Sequence, residues 1–168
     1  MERCVSIIAL IIIFQSATIT APQARSHVGR TPITLSAESP SSDALDVYEA
    51  VFWYRIQQRG WTGSFFLRID GVDPGDAFLA RFRRAKAPVK KYSAAYIDNS
   101  FPAVRDKSTG AAGYELYVTS MAWISPTKAE VLGGMYCSAI CADDGIYYLS
   151  KEKNGRWVVT RYKMKNVS

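Results

Sequence analysis

The segment IYYLSKEKNGRWVVTRYKM, residues 146–164, decides the fold. Two runs of strand-forming residues flank Asn154-Gly155, and this dipeptide favours the positive φ angles of a two-residue hairpin turn. The segment therefore predicts two antiparallel strands near the C-terminal end of the chain. In that register the facing pairs are Tyr147 with Tyr162 and Glu152 with Trp157.

The two-residue period of a strand extends from this hairpin toward the N-terminus. Residues 114–124 are apolar on both faces, which is typical of a central strand. Residues 125–128 predict a turn, and residues 129–137 return as a strand with a bulge at Gly133-Gly134. A further strand begins at Val89, and residues 98–113 are interpreted as a long loop.

A helix is predicted over residues 43–60, upstream of all the strands. Asp43 can cap its N-terminus, and Gly60 ends the apolar period. We expect Arg55 on the outside of the last turns, where a cation suits the negative end of the helix dipole. The apolar positions at helical spacing are Leu45, Tyr48, Val51, Phe52 and Ile56.

Residues 64–70 (SFFLRID) alternate and predict a strand with one buried face. The turn that follows, GVDPGD, leads into a second helix that Asp73 can cap. Pro88 ends this helix because its ring disfavours a helical conformation in the preceding residue. The side chains expected to face inward are Phe78, Leu79, Phe82 and Ala85.

This order of elements predicts an α+β fold: a curved antiparallel meander sheet of about five to six strands with two helices packed on one face. The chain has 168 residues, which favours one domain. We expect residues 1–24 to form a signal peptide, residues 25–42 a flexible lead-in, and residues 43–168 a single α+β domain.

Several C-terminal motifs carry a resemblance to a known group. They are Trp123-Ile124-Ser125, GGMYC at residues 133–137, Cys141, Tyr148 and NGRWVV at residues 154–159. This pattern resembles a recurrent signature of uncharacterised secreted bacterial proteins. The element order of residues 43–168 is similar to the nuclear transport factor 2-like fold of the cystatin-like group, which usually has two helices before its first strand. The motifs are turn and packing residues, so the resemblance implies a fold and no particular activity.

The N-terminal segment has the layout of a secretory signal. Arg3 precedes an apolar run at residues 5–14, and a polar, small-residue segment follows with cleavage expected after Ala17 or Ala24. Ten apolar residues are too few to cross a hydrocarbon core of ~30 Å as a helix. The alternative is an uncleaved anchor that includes Ile19. We expect a secreted or periplasmic protein with no stable membrane span after processing.

Export decides how Cys137 and Cys141 are interpreted. In an oxidising compartment two cysteines four positions apart around a turn predict a disulfide. The alternative is a metal site, which needs two more soft ligands than the sequence supplies nearby. His27 is the single histidine, so histidine zinc sites, Ser-His-Asp triads and Cys-His dyads lack a required residue. We expect no metal and no cofactor.

The carboxylates suggest two weaker alternatives. Asp70, Asp73 and Asp76 could bind calcium, but they lack the alternate-residue spacing of an EF-hand loop, and capping explains the last two. A general acid or base would have to be a buried carboxylate such as Asp70 or Glu115, and neither has a recognisable partner. We expect no catalytic residue, and Asp143-Asp144 is interpreted as a solvated turn.

The chain is basic, with a formal charge of +6 that the loss of residues 1–24 leaves unchanged. One basic cluster lies at the end of the second helix and another on the last hairpin. Cation placement near a helix C-terminus and solvated strand faces account for both structurally. The functional interpretation is attraction to polyanions. The candidate anion-binding residues are Arg81, Arg83, Arg84, Lys86, Lys90 and Lys91.

Aromatic residues supply a candidate pocket on the concave face of the sheet. Tyr92, Tyr96, Tyr117 and Trp123 could hold a small apolar ligand there, or could fill the core and flank strand edges.

Three functions follow from these observations. The first is an exported, non-enzymatic accessory or binding domain that contacts an anionic envelope polymer, a lipid headgroup or an acidic protein, and not nucleic acid. The alternative is a small-molecule-binding or carboxylate-catalysed enzyme of the conical-sheet type. The third is a structural subunit that dimerises through the open sheet face.

Overall fold

The structure is a computed structural model that describes residues 41–58 and 63–167. The predicted signal peptide, the lead-in as far as residue 40, and Gly60 lie outside the described residues. Within the described residues, no helix is long and apolar enough to cross a membrane.

Two helices and eight strands make up this part of the chain. Helix α1 spans Ser42–Gln58, and helix α2 spans Asp76–Leu79 and continues as a 3₁₀ turn at Ala80–Phe82. A second 3₁₀ turn spans Tyr92–Ala94. The strands are β1 (Ser64–Ile69), β2 (Val89–Lys91), β3 (Ala95–Asp98), β4 (Ala103–Asp106), β5 (Gly113–Ser125), β6 (Lys128–Ser138), β7 (Cys141–Lys151) and β8 (Trp157–Val167).

The strands form a single sheet in which β5, β6, β7 and β8 are a continuous antiparallel meander. Strand β1 lies between β2 and β5 and runs parallel to both. The short hairpin of β3 and β4 joins the end of β6.

The α+β prediction is confirmed. The prediction of about five to six antiparallel strands is wrong, because the described residues contain eight and β1 has parallel neighbours. The helical connection through α2 returns the chain to the same end of the sheet, so β2 must run parallel to β1.

Helix α1 covers one face of the sheet. Its first turn is capped by Ser41, whose Oγ accepts a hydrogen bond of 3.3 Å from the amide of Ala44, so the predicted cap at Asp43 is wrong. Side chains spaced three and four residues apart point into the core, and the fully buried ones are Val47, Tyr48, Val51 and Phe52.

The main core lies between α1, α2 and one face of the sheet, which we call the α1 face. It carries Leu67, Leu116, Val131 and Leu149, all buried. Helix α2 joins this core because Phe78 and Phe82 contact the ring of Phe52 edge-on, at 6.1 and 6.3 Å between centroids. Both predicted helices therefore belong to one core.

A second, smaller core lies on the opposite face of the sheet, which we call the outer face. Phe66 alternates with the residues that face α1 and is fully buried here with Ala95 and Val104. The prediction of one buried face for β1 is therefore wrong. The predicted loop at residues 98–113 contains β4, and the hairpin of β3 and β4 supplies the cover over Phe66.

The C-terminal hairpin has a longer turn than the predicted one. Lys151 pairs with Trp157, so the predicted pair of Glu152 with Trp157 is wrong. The amide of Glu152 donates to the carbonyl of Arg156 at 2.8 Å, so the loop between these two residues has three members and ends at Gly155, which has a φ of 86°. This positive φ is the reason that a glycine stands there.

A bulge in β8 restores the register. Tyr148 pairs with Arg161 and Leu149 pairs with Val159, so Thr160 has no partner on β7 in the register. One extra residue in the turn and one in β8 compensate, and the predicted pair of Tyr147 with Tyr162 is confirmed.

Candidate functional site

The six candidate anion-binding residues divide into three that pair with carboxylates and three that face solvent. The paired cations are Arg81 with Asp46 and Glu49 at 2.6 and 2.8 Å, Lys90 with Asp106 at 2.6 Å, and Lys91 with Asp76 at 2.7 Å. These ion pairs connect α2 to α1, and they connect β2 to β4 and to α2. The role that the structure gives these three residues is therefore to hold the fold together at the surface.

Arg83, Arg84 and Lys86 are exposed, and none of them forms an ion pair with a carboxylate in the part of the chain that the structure describes. Their positions follow from the way α2 ends. The helix tightens into a 3₁₀ turn at Ala80–Phe82, and one further turn follows, in which the amide of Ala85 donates to the carbonyl of Phe82 at 2.9 Å. The chain therefore presents three cations in four residues to solvent.

A groove with a volume of about 350 Å³ opens beside these cations. We call it the basic groove. Its wall combines the two charged residues Arg83 and Lys86 with apolar side chains, and no carboxylate of the described chain lines it. A surface of this kind favours an anionic group that is attached to apolar atoms. The apolar lining residues are Leu79, Phe82, Ala85, Ala87, Pro88 and Val89.

The entry to α2 differs from the prediction. Gly75 occupies the N-cap position without a side-chain cap, and Asp73 instead accepts a hydrogen bond of 2.9 Å from the amide of Ser93. Asp73 therefore fixes the start of the 3₁₀ turn that follows β2. Among the described residues no group of three or more His, Cys, Asp or Glu could hold a metal ion, which leaves the calcium alternative without a ligand set.

The four candidate pocket residues do not line one site. Tyr92 and Tyr117 both contact the guanidinium of Arg68, whose Cζ lies 4.8 and 5.8 Å from their ring centroids. Tyr96 is exposed on β3, and Trp123 packs on the ring of Trp157 at 5.5 Å. The structure thus brings two of the four together around an arginine. That arginine has no recognisable signature in the sequence beyond its alternation with Phe66.

Glu115 is a buried carboxylate on the outer face. It is 5% exposed and forms an ion pair with Arg68, which is held between the two tyrosines. Glu115 Oε1 is the atom that contacts Arg68 Nη2, whereas Arg68 Nε is buried without a hydrogen-bond partner. Burial raises the pKa of Glu115, and the charge of Arg68 lowers it in part. Asp70, the other sequence candidate, is exposed in a tight turn.

Another buried carboxylate, Asp143, joins β7 to α1 within the main core. The interpretation of Asp143-Asp144 as a solvated turn is wrong, because both residues lie in β7 and Asp143 is 8% exposed. Asp143 pairs with Arg55 and accepts a hydrogen bond of 2.6 Å from the hydroxyl of Tyr162. Sequence reasoning missed this cluster because its members are far apart in the chain and because Arg55 was expected on the outside of α1. That expectation is wrong, since Arg55 is buried.

The two cysteines lie at the turn between β6 and β7. The Cα atoms of Cys137 and Cys141 are 5.4 Å apart, within the range that a disulfide spans, so the pair is capable of forming one.

A second groove, of about 390 Å³, lies on the outer face of β6, β7 and β8. We call it the outer groove. Arg161 lies across the ring of Tyr148 here, with 3.9 Å between its Cζ and the ring centroid. Ile124, Lys128 and Thr160 also line it. None of the sequence-predicted site residues lines the outer groove.

Comparison of the chain with protein-family models, with curated proteins and with solved structures found no match in any of the three. The resemblance to the nuclear transport factor 2-like fold therefore stays a prediction from the sequence.

Proposed function

We propose that this chain is an exported binding domain that contacts anionic envelope material through the basic groove and its three exposed cations. The observation that carries the proposal is the segregation of charge at α2. Arg83, Arg84 and Lys86 carry no carboxylate partner among the described residues, whereas their neighbours do. Three unpaired cations beside an apolar groove attract an anionic surface and have apolar atoms on which part of it can rest.

Export supports this choice of ligand. A secreted or periplasmic protein meets anionic polymers and lipid headgroups before it meets nucleic acid, and the pair of Cys137 and Cys141 is suited to an oxidising compartment. A disulfide at this turn and a cleaved signal peptide at residues 1–24 are both part of the proposal. Fractionation of cells that produce the full chain, followed by alkylation under denaturing conditions, tests them together. Full-length protein inside the cell with both thiols free would contradict export.

Binding to vesicles tests the ligand class. We expect the protein to sediment with phosphatidylglycerol vesicles and not with phosphatidylcholine vesicles, and to do so less as the salt concentration rises. Each Lys or Arg near an anionic surface contributes about 1 kcal/mol, so replacing Arg83, Arg84 and Lys86 by Gln should weaken binding by more than about tenfold. Soluble polyphosphate as a competitor distinguishes a polymer from a lipid surface.

A matched control separates the site from the net charge. Arg161, Lys163 and Lys165 are equally exposed but lie on β8, and replacing all three by Gln removes the same total charge. We expect this variant to bind vesicles nearly as well as the wild-type protein. If the two triple variants lose binding equally, general charge and not the basic groove is responsible, and the proposal is wrong.

The carboxylate-catalysed enzyme is the alternative, and Glu115 is the residue that favours it. A buried carboxylate with a raised pKa is typical of general acids and bases. Neither the basic groove nor the outer groove contains Glu115, so we place the binding proposal first. Titration of the Glu115 carboxyl by NMR, with and without a library of small ligands, would detect a ligand that reaches it.

A further inference from the structure

The last strand leaves one edge of the sheet open. Strand β8 is 11 residues long and pairs with β7 on one side, and no other strand in the described part of the chain pairs with it. The other edge of β8 therefore presents a row of backbone N–H and C=O groups that no strand of residues 41–58 and 63–167 satisfies. Such an edge can pair with an added strand from another chain.

The two faces of β8 have different chemistry. Tyr162 pairs with buried Tyr147 and so faces α1. Met164 pairs with Gly145 and, beyond a register shift, Val167 pairs with Asp143, so both also lie on the α1 face. These two side chains are 52% and 71% exposed, because the cover that buries the first half of the strand does not reach them. The apolar positions of β8 are thus left partly uncovered at its end.

The outer face of β8 is cationic. Arg161 pairs with Tyr148 and Lys163 pairs with Ile146, both on the outer face. The stacking of Arg161 on the ring of Tyr148, at 3.9 Å, fixes the direction of its guanidinium. Strand β8 contains no Asp or Glu.

We propose that the free edge of β8 accepts an extended segment of a partner protein in which apolar and acidic residues alternate. Backbone hydrogen bonds to β8 would supply the affinity. The apolar side chains would cover Met164 and Val167 on one face, and the acidic side chains would pair with Arg161 and Lys163 on the other. This surface lies on a different element from the basic groove and does not depend on the proposed function.

Two alternative roles for this edge agree less well with its residues. Lysines on an edge strand can serve to prevent association, but such an edge has no need of exposed apolar side chains on its other face. A second copy of this chain would place Arg161 and Lys163 opposite cations of its own β8, and like charges in facing strands are destabilising. An acidic strand avoids this repulsion.

A blocked peptide of alternating Val and Glu, seven residues long, is the probe. We expect it to bind the full chain in fluorescence anisotropy and to protect the amides of β8 from hydrogen exchange. Replacing the central Val by Pro should weaken binding by at least tenfold, because proline removes a backbone donor and disfavours a paired strand. A peptide with Lys in place of Glu should not bind.

A charge exchange identifies the surface. Replacing Arg161 and Lys163 by Glu should abolish binding of the Glu peptide and create binding of the Lys peptide. The matched control replaces Arg83 and Arg84 by Glu, which changes the net charge equally and should leave the affinity of the Glu peptide within about twofold. No measurable binding of the Glu peptide, equal binding of the proline peptide, or equal loss in the control variant would each overturn the proposal.

Discussion

Arg55 of α1 and Asp143 of β7 form a two-point ion pair inside the protein. Both guanidinium Nη atoms reach the carboxylate, with 3.2 Å between Nη1 and Oδ2, and the two side chains are 5% and 8% exposed. The guanidinium also lies over the ring of Tyr162 at 4.3 Å and donates from Nε to the hydroxyl of Tyr147. Every member of this cluster is satisfied, so the pair joins the helix to the sheet at one fixed position.

Removing one charge of this pair should destabilise the fold strongly. Asp143→Asn leaves the guanidinium of Arg55 buried without its counter-charge, and breaking a buried pair costs about 3–5 kcal/mol. Unfolding in urea, followed by tryptophan fluorescence, measures the change. Asp144→Asn is the matched control, because Asp144 contacts the exposed side chain of Asn166 and its loss should cost about 0.5 kcal/mol or less. Equal losses in the two variants would show that the buried pair contributes nothing specific.

Buried Tyr48 and half-buried Tyr162 should respond differently to loss of the hydroxyl. Tyr162→Phe removes a hydrogen bond of 2.6 Å to Asp143, and hydrogen bonds to charged groups contribute about 1.5–3 kcal/mol. The hydroxyl of Tyr48 is buried without a hydrogen-bond partner, and burial raises its pKa to about 12. Tyr48→Phe should therefore leave the free energy of unfolding unchanged or increase it. A larger loss for Tyr48→Phe than for Tyr162→Phe in the same urea titration would contradict these assignments.

Asp106 should make the protein sensitive to acid. Hydrogen bonds from Lys90, Ser108 and Ser64 hold the pKa of this carboxyl well below its usual range. Because its folded-state pKa is lowered, Asp106 stabilises the fold above a pH of about 4, and this contribution is lost as the pH falls through the folded-state pKa. In Asp106→Asn the free energy of unfolding should fall less steeply between about pH 4 and pH 2. An unchanged slope would mean that other carboxyls control acid unfolding.

Reduction of the cysteine pair should have a moderate effect. A cross-link between residues four apart closes a very short loop, and the chain-entropy model gives about 2 kcal/mol for it. The double variant Cys137→Ser and Cys141→Ser should lose about that much stability, and adding a reductant should not lower it further. If the reductant destabilises the double variant as much as the wild-type protein, the pair is not the source of the effect.

Gly134 should tolerate no side chain. A Cβ atom there would meet the carbonyl oxygen of Asp143 and would lie 2.7 Å from the hydroxyl oxygen of Tyr117. We expect Gly134→Ala to cost about 1–3 kcal/mol, as overpacking does elsewhere. Gly75 has no atom within 4 Å of a built Cβ and an ordinary negative φ, so Gly75→Ala is the control and should be close to neutral. Thermal unfolding of both variants measures the difference.

The glycine pair illustrates how much of the fold the sequence could predict. Gly133-Gly134 predicts a bulge in β6, but both residues pair regularly, and the irregularity lies in β5 between Val118 and Ser120. The glycines are needed because the neighbouring backbone approaches too closely for a Cβ. Periodicity shows that a strand is present, whereas close approach depends on the partner strands, which a single segment does not specify.

The hairpin of β7 and β8 also shows which features local sequence patterns predict and which they do not. Its existence and the pair of Tyr147 with Tyr162 follow from local patterns, which include Asn154-Gly155. The length of its turn and the bulge at Thr160 do not follow from local patterns. The extra residue in the turn shifts the register by one and the bulge shifts it back, so the alternation of side chains does not reveal either. Two local errors cancelled in the predicted register, so a correct pairing did not prove a correct turn.

The candidate site was likewise only partly predictable from the sequence. Charge composition predicts that the region after α2 is basic, but the sequence cannot tell Arg81, which bridges two carboxylates of α1, from Arg83, which faces solvent. Partners that lie on other elements make that distinction. The same holds for Arg68 and Glu115, which are adjacent only because β1 and β5 run side by side.

The parallel position of β1 has a kinetic consequence. The meander from β5 to β8 can assemble through successive hairpins, whose ends are close in sequence, whereas β1 reaches β5 only after the chain between them has closed a long loop. We expect refolding to begin in the C-terminal half and to be limited by the docking of α1 and β1 onto it. In a newly made chain, β1 would then be complete before β8 exists. It could join the sheet only after the ribosome has released β5, its parallel partner.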